Sequence, residues 1–128
     1  MKFRIASLDH IQLAAPTGCE AAAREFYGVL LGMREIEKPE PLRVRGGCWF
    51  ECGHQQLHIG VEPDFRPARK AHPAFAVDNL DDLRQALLSR GVKVSDDVSL
   101  PGVRRFHAQD PWGNRLEFLE SPPHDHSN

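Results

Sequence analysis

The feature that most constrains this chain is an internal repeat. Residues about 5–61 and about 72–120 each read as a strand, a helix and three more strands, and residues 62–71 form a connector between them. In the first half, Asp9-His10-Ile11-Gln12-Leu13-Ala14 alternates polar and apolar residues with the period of a strand that has one wet face. Pro16 ends it, and Thr17 with Glu20 has the spacing of a capping box, which predicts a helix start there. Ala22, Phe26, Val29, Leu30 and Met33 recur at three- and four-residue steps, so the helix should run to about Gly32 with one face on a sheet. Strands are expected at Leu42–Arg45, Cys48–Glu51 and Gln55–Val61, the last two joined by a Gly53-His54 turn.

The second half restarts the pattern. His72–Val77 reads as a strand, Asp78 as a helix cap, Leu80, Leu83, Leu87 and Leu88 as the helix's buried face, and Gly91 as its stop. Val92–Val94, Val103–Ala108 and Arg115–Leu119 supply three strands, with the turn Asp110-Pro111-Trp112-Gly113-Asn114 between the last two. Elements of this kind and order predict an α+β fold of two tandem βαβββ modules in a single domain of 128 residues. The tail, residues 121–128, offers nothing to bury and is expected to be disordered, with no role for its two histidines.

Superposing the two halves sets His10 on His72 and Gln56-Leu57-His58-Ile59 on Arg115-Leu116-Glu117-Phe118. Four side chains able to bind a metal therefore occupy two equivalent pairs of positions. Neutral imidazole and carboxylate suit Zn, Ni, Fe, Co or Mn, so His10, His58, His72 and Glu117 are the candidate ligands of one divalent ion.

Composition closes off other classes. With 16 Lys and Arg against 18 Asp and Glu, a net charge of -2 and no basic stripe, nucleic acid is not an expected partner. No apolar run approaches the roughly 20 residues of a membrane-spanning helix. The start of the chain has no continuous apolar segment of export-signal type, which predicts a cytoplasmic setting. Cys19, Cys48 and Cys52 are an odd number without zinc-knuckle spacing and read as small buried or half-buried hydrophobes. There is no P-loop, nucleophile elbow or dinucleotide fingerprint. Trp49, Phe50, Phe75, Phe106 and Trp112 read as core or groove wall, Arg104, Arg105 and Arg115 as ordinary surface before holders of an anionic substrate, and His54 as an exposed turn residue. His107 stays open between a pocket residue and a solvated strand position, because one step of strand register decides it.

The repeat order, the LDHIQLA opening, the HPAFAVDNLDDL restart and above all DPWGNRLEF resemble the vicinal oxygen chelate superfamily, the glyoxalase and bleomycin-resistance fold, over roughly residues 8–120. The resemblance implies two half-open mixed β-sheets with helices on their outer faces. It implies that Glu117 is a metal ligand on the final strand, that His10 and His72 match the ligand histidines opening each module, and that small members form homodimers whose sites take ligands from both chains. Lactoylglutathione lyases carry glutamate where this chain has His58, and methylmalonyl-CoA epimerases carry glutamine. Glu117 is then the single carboxylate ligand, and a proton route other than two symmetric glutamates is needed.

Four protein ligands leave an octahedral ion two neighbouring positions, where two adjacent oxygens of a small-molecule substrate can chelate. The implied activity is that of a metal-dependent lyase or isomerase that stabilises an enolate-like anion, with Glu117 or a water on the metal moving the proton. A non-haem Fe(II) dioxygenase of the same superfamily, using His10, His72 and Glu117, is the second reading. A metal-free, ligand-sequestering resistance protein is the third. A fosfomycin-type thiol transferase is a weaker match, since no loop suited to a phosphonate is evident.

Overall fold

The computed structural model describes residues 2–122. The tail from residue 123 onward lies outside the described residues. The chain divides into two compact units, one ending at Pro67 and the other beginning at Ala68.

In the first unit, β1 (His10–Ala15), β2 (Glu35–Ile36), β3 (Cys48–Cys52) and β4 (Gln55–Val61) form a mixed sheet in the order β1-β4-β3-β2. β1 runs parallel to β4, while β3 runs antiparallel to it. The register pairs Leu13 with Ile59, Ile59 with Cys48 and Leu57 with Phe50. Period-two alternation therefore gathers these apolar side chains on one face, and all five are buried. Tyr27 and Phe26 from the helical segment join that core, with the Tyr27 ring 6.0 Å from that of Phe50. The opposite face carries His10, Gln12, Gln56, His58 and Trp49.

Two local expectations for this unit are corrected. The helix starts at α1 (Glu20–Ala23) behind Cys19, without a side-chain cap, because Thr17 and Gly18 form a turn in which Gly18 has a φ of 81°. Glu20 does not close a capping box. Its carboxylate instead accepts the amide of Gly47 at 2.6 Å. The helix then widens into a π-helix over Arg24–Leu30, whose end is closed by Leu31 N–H donating to Phe26 O, a five-residue step. Leu42–Arg45 is not a strand. Pro39 precedes and Pro41 enters the short helix α2 (Glu40–Arg43), where a fixed φ suits the first turn, and the strand of this region is β2.

The second unit repeats the plan. β5 (Ala74–Val77), β6 (Ser95–Asp96), β7 (Arg105–Gln109) and β8 (Arg115–Glu120) form a sheet in the order β5-β8-β7-β6, with β5 parallel and β7 antiparallel to β8. Phe106, Phe118, Leu116 and Ala108 are buried on one face together with Leu80 and Leu87 of α3 (Leu80–Ser89). Burial of each large side chain in this layer stabilises by about 1.5–3 kcal/mol. Ala74, Ala76, Arg105, His107, Gln109, Arg115, Glu117 and Leu119 share the other face.

Here the expected strand at Val92–Val94 lies further on, at β6, and β5 starts two residues after His72. The residue before α3 is Asn79, not Asp78, at a left-handed φ of 59° that asparagine tolerates. Asp78 instead accepts the Ser121 hydroxyl. Gly91, with a φ of 76°, follows the end of α3 as expected. Neither sheet closes into a barrel.

Candidate metal centre

The turn Asp110–Asn114 places the last two strands. One carboxylate oxygen of Asp110 accepts the amides of Trp112 (3.1 Å) and Asn114 (2.9 Å), and the other accepts the Asn114 side-chain amide (2.8 Å). Gly113 supplies the left-handed step, with a φ of 94°. The closed turn fixes the pairing Gln109 with Arg115, and therefore His107 with Glu117. Asn114 also accepts the amide of Ala68 at 3.0 Å, while the Arg115 amide donates to Ala68 O at 2.9 Å. Thus the motif that sets the β7–β8 register also ties down the segment that leads to His72.

Glu117 is buried in the middle of β8. Its Oε1 lies 2.9 Å from His72 Nε2 and 3.3 Å from His107 Nε2, and its Oε2 accepts Arg105 Nη1 at 3.2 Å. Burial pushes the Glu117 carboxyl up, but His72, Arg105 and His107 outweigh it and hold the group below the ordinary carboxylate range.

The ring nitrogens of the two histidines are oriented by their partners. His72 Nδ1 lies 2.8 Å from Lys70 O, an acceptor only, so Nδ1 carries a hydrogen, and Nε2 is the nitrogen turned to Glu117 Oε1. The Arg115 guanidinium lies 3.3 Å from His107 Nε2, the same nitrogen that stands 3.3 Å from Glu117 Oε1. Three potential ligand atoms, from His72, His107 and Glu117, lie within 4.8 Å of one another. Adjacent ligands of an octahedral ion with bonds of about 2.1 Å stand about 3 Å apart, so this set fits a divalent cation. A histidine anchored through its other ring nitrogen to a carbonyl is also the usual support of a metal ligand.

The first unit holds the equivalent positions. Gln12 faces His58 as Ala74 faces Glu117, so His10 and His72 each stand two residues before the matched pair. His10 Nδ1 is 2.9 Å from Asp9 Oδ2, leaving its Nε2 as the second ring nitrogen. Its ring stacks on His58 at 4.2 Å and 16°, and Trp49 stacks on the other face of His58 at 3.8 Å and 3°. His58 Nε2 is engaged by Gln56 Oε1 at 2.9 Å. Burial and then the neighbouring His10 push the His58 imidazole below the ordinary histidine range.

Of the four residues singled out from the sequence, His10 and His58 meet in one unit and His72 and Glu117 meet in the other. His107 joins the latter pair. Its position is readable only once the Asp110–Asn114 turn is known to align it with Glu117. Trp49, its equivalent in the first unit, pairs with His58.

Comparison with known proteins decides the family. The family model of the Glyoxalase/Bleomycin resistance protein/Dioxygenase superfamily matches residues 7–118. The chain belongs to this superfamily. Among solved structures, a glyoxalase family protein from Bacillus anthracis superposes on this glyoxalase-superfamily chain with a TM-score of 0.91 and 54% identity, covering 95% of this chain and all of that one. A lactoylglutathione lyase from Agrobacterium tumefaciens (TM-score 0.73, 18% identity, covering 91% and 94%) shares the fold. So does a glyoxalase/dioxygenase from Nostoc punctiforme (TM-score 0.74, 21% identity, covering 96% and 99%). A comparison with curated proteins gives no match. Among the described residues, no helix is long and apolar enough to cross a membrane.

Proposed function

We propose that this member of the glyoxalase superfamily is a metal-dependent enzyme that binds a small substrate through two adjacent oxygens and moves a proton on the carbon beside them, as a lyase or isomerase. The observation that carries the reading is the convergence of His72 Nε2, His107 Nε2 and Glu117 Oε1, with His72 anchored through Nδ1 on a carbonyl. His72 and Glu117 hold the ion, and His107 stands beside them. The family resemblance adds His10 as a ligand and a homodimer as the working form, the internal repeat adds His58, and the cytoplasm is the setting assigned to it.

A bound Zn, Ni, Fe, Co or Mn ion would supply Lewis acidity that polarises the chelating oxygens and stabilises an enolate-like anion. The chain's own groups do the rest. Arg105 holds Glu117 Oε2, and together with burial this keeps the carboxylate in one orientation. Glu117 is the group placed to accept and return the proton, which a carboxylate held ionised at neutral pH can do. His72 and His107 each turn Nε2 to Glu117 Oε1, at 2.9 and 3.3 Å, and so fix where that oxygen stands.

The test uses hydroxyacetone in heavy water with the metal-loaded chain. Deuterium should enter the carbon next to the carbonyl with the wild type and not with Glu117→Gln. Exchange that persists in Glu117→Gln contradicts the role of Glu117. One observation favours the dioxygenase reading: two histidines and one carboxylate within a single unit are the set used by non-haem Fe(II) oxygenases. Oxygen uptake with a catechol that requires Fe(II), without deuterium exchange, would establish it instead.

A further inference from the structure

The arginines of the second unit are unevenly paired. Arg104 pairs with Asp81 and Glu120, and Arg84 pairs with Asp96. Arg105 is neutralised by Glu117 and Asp97. Arg115 is different. Among the described residues its guanidinium meets no carboxylate, and its polar contact is His107 Nε2 at 3.3 Å. It sits two residues before Glu117, on the same face of β8 and half-buried.

The backbone holds Arg115 firmly. It follows the Asp110–Asn114 turn directly, and its own amide is bonded to Ala68 O. Its contact with His107 uses one of five guanidinium donors and brings no negative charge. An arginine kept half-buried, with its charge unanswered, next to two histidines and a glutamate suited to a metal, is a built cation site for an anionic oxygen group.

The geometry points to a substrate that carries a carboxylate outside its chelating oxygen pair, and to Arg115 as the residue that binds it. This rests on the metal-centre reading for the chelating pair, but the anion site is the arginine's own. A carboxylate fits better than a phosphate because the site offers one uncompensated positive charge, with Arg105 already neutralised by Glu117 and Asp97. Arg115 is therefore a specificity-determining residue, and small hydroxy or oxo diacids are the class it selects.

Three probes share a 2-hydroxy-carboxylate chelating pair and differ at the distal end: lactate (methyl), malate (carboxylate) and 3-phosphoglycerate (phosphate). Their affinities for the full chain, metal-loaded and metal-free, are to be measured by titration calorimetry with wild type, Arg115→Gln and Arg115→Lys. Malate should bind the wild type about 10- to 100-fold more tightly than lactate, as expected for a charge-assisted pair. That preference should vanish in Arg115→Gln and return in part in Arg115→Lys, compared at equal metal occupancy because Arg115 touches His107.

A chain that takes up metal and binds malate and lactate equally, or keeps its preference in Arg115→Gln, overturns this inference and leaves the metal centre standing. Preference for 3-phosphoglycerate over malate overturns the choice of carboxylate. A chain that takes up no metal but still prefers malate through Arg115 supports the anion site and overturns the metal centre. A chain with neither property overturns both.

Discussion

His107 and Glu117 are direct cross-strand partners on β7 and β8, with Nε2 and Oε1 3.3 Å apart, at the positions that Trp49 and His58 occupy on β3 and β4. The two units thus share a scaffold and differ in what these two paired positions carry. In the first, an indole lies flat on an imidazole and covers it. In the second, an imidazole nitrogen stands beside a carboxylate oxygen. The repeat has become chemically asymmetric at both positions of this cross-strand pair.

This asymmetry predicts the effect of losing His107. His107→Ala should weaken binding of Zn or Ni by at least about tenfold, on the scale of lost supporting groups at metal sites. His54→Ala, in an exposed turn, should have no effect. Competition with a chromophoric chelator measures both, and equal affinities for wild type and His107→Ala would remove His107 from the centre.

Asn114 is buried, and joins the turn to the segment leading to His72 through Asp110 and Ala68. Asn114→Ala leaves the Asp110 carboxylate and the Ala68 amide without these partners. Two such losses should destabilise the fold by about 2–4 kcal/mol in urea denaturation. Metal affinity should fall in the same variant, because His72 loses its tether. A change below about 0.5 kcal/mol would show that the turn is held by other means.

Gly47 has a φ of 86°, and a Cβ there would lie 2.0 Å from Ile59 O. Gly47→Ala combines backbone strain with a clash against β4 and should cost about 3 kcal/mol or more, read by thermal or urea unfolding. The amide of Gly47 is also the first cause that holds Glu20 below the ordinary carboxylate range. A depressed folded pKa contributes stability above the unfolded value that is lost as pH falls through the folded one. Glu20→Ala should therefore be less stable than wild type near neutrality. The gap should close in acid, and a gap independent of pH would contradict the role of the Glu20 charge.

Cys48 is buried, and burial pushes its thiol up to about 11. Cys19 is buried too, while Cys52 is half-buried. Thiol reactivity needs both access and thiolate. Iodoacetamide at neutral pH should label Cys52 first in the native chain and reach Cys19 and Cys48 only on unfolding, as mass spectrometry of the digested protein can show. Early labelling of Cys48 would contradict its burial.

The course of β1, β3, β4 and β8 is legible in the sequence because each alternates with period two against a single buried face. The equivalence of His10 with His72 and of His58 with Glu117 follows from the same alternation, applied to two copies. What is hidden depends on competition between local signals. Thr17 and Glu20 have capping spacing, yet Gly18 turns the chain and Gly47 offers Glu20 a better donor. Leu42–Arg45 has strand-like residues, yet Pro39 and Pro41 favour a helical turn. The neighbourhoods of His107, Arg105 and Arg115 depend on strand register, which the turn at Asp110–Asn114 sets through side-chain hydrogen bonds. The neutralisation of Arg105 and the unanswered charge of Arg115 emerge only after that register is known.

The central claim is the metal centre, and elemental analysis tests it most directly. The tag-free protein and the triple variant His10→Ala, His72→Ala, Glu117→Ala should be purified side by side and reloaded with Zn, Ni, Fe, Co and Mn in turn. The account predicts about one transition ion per chain in the wild type and none in the variant, provided the variant stays folded by circular dichroism. A folded wild type that retains no ion after reloading, or a variant that retains the same amount, would contradict it.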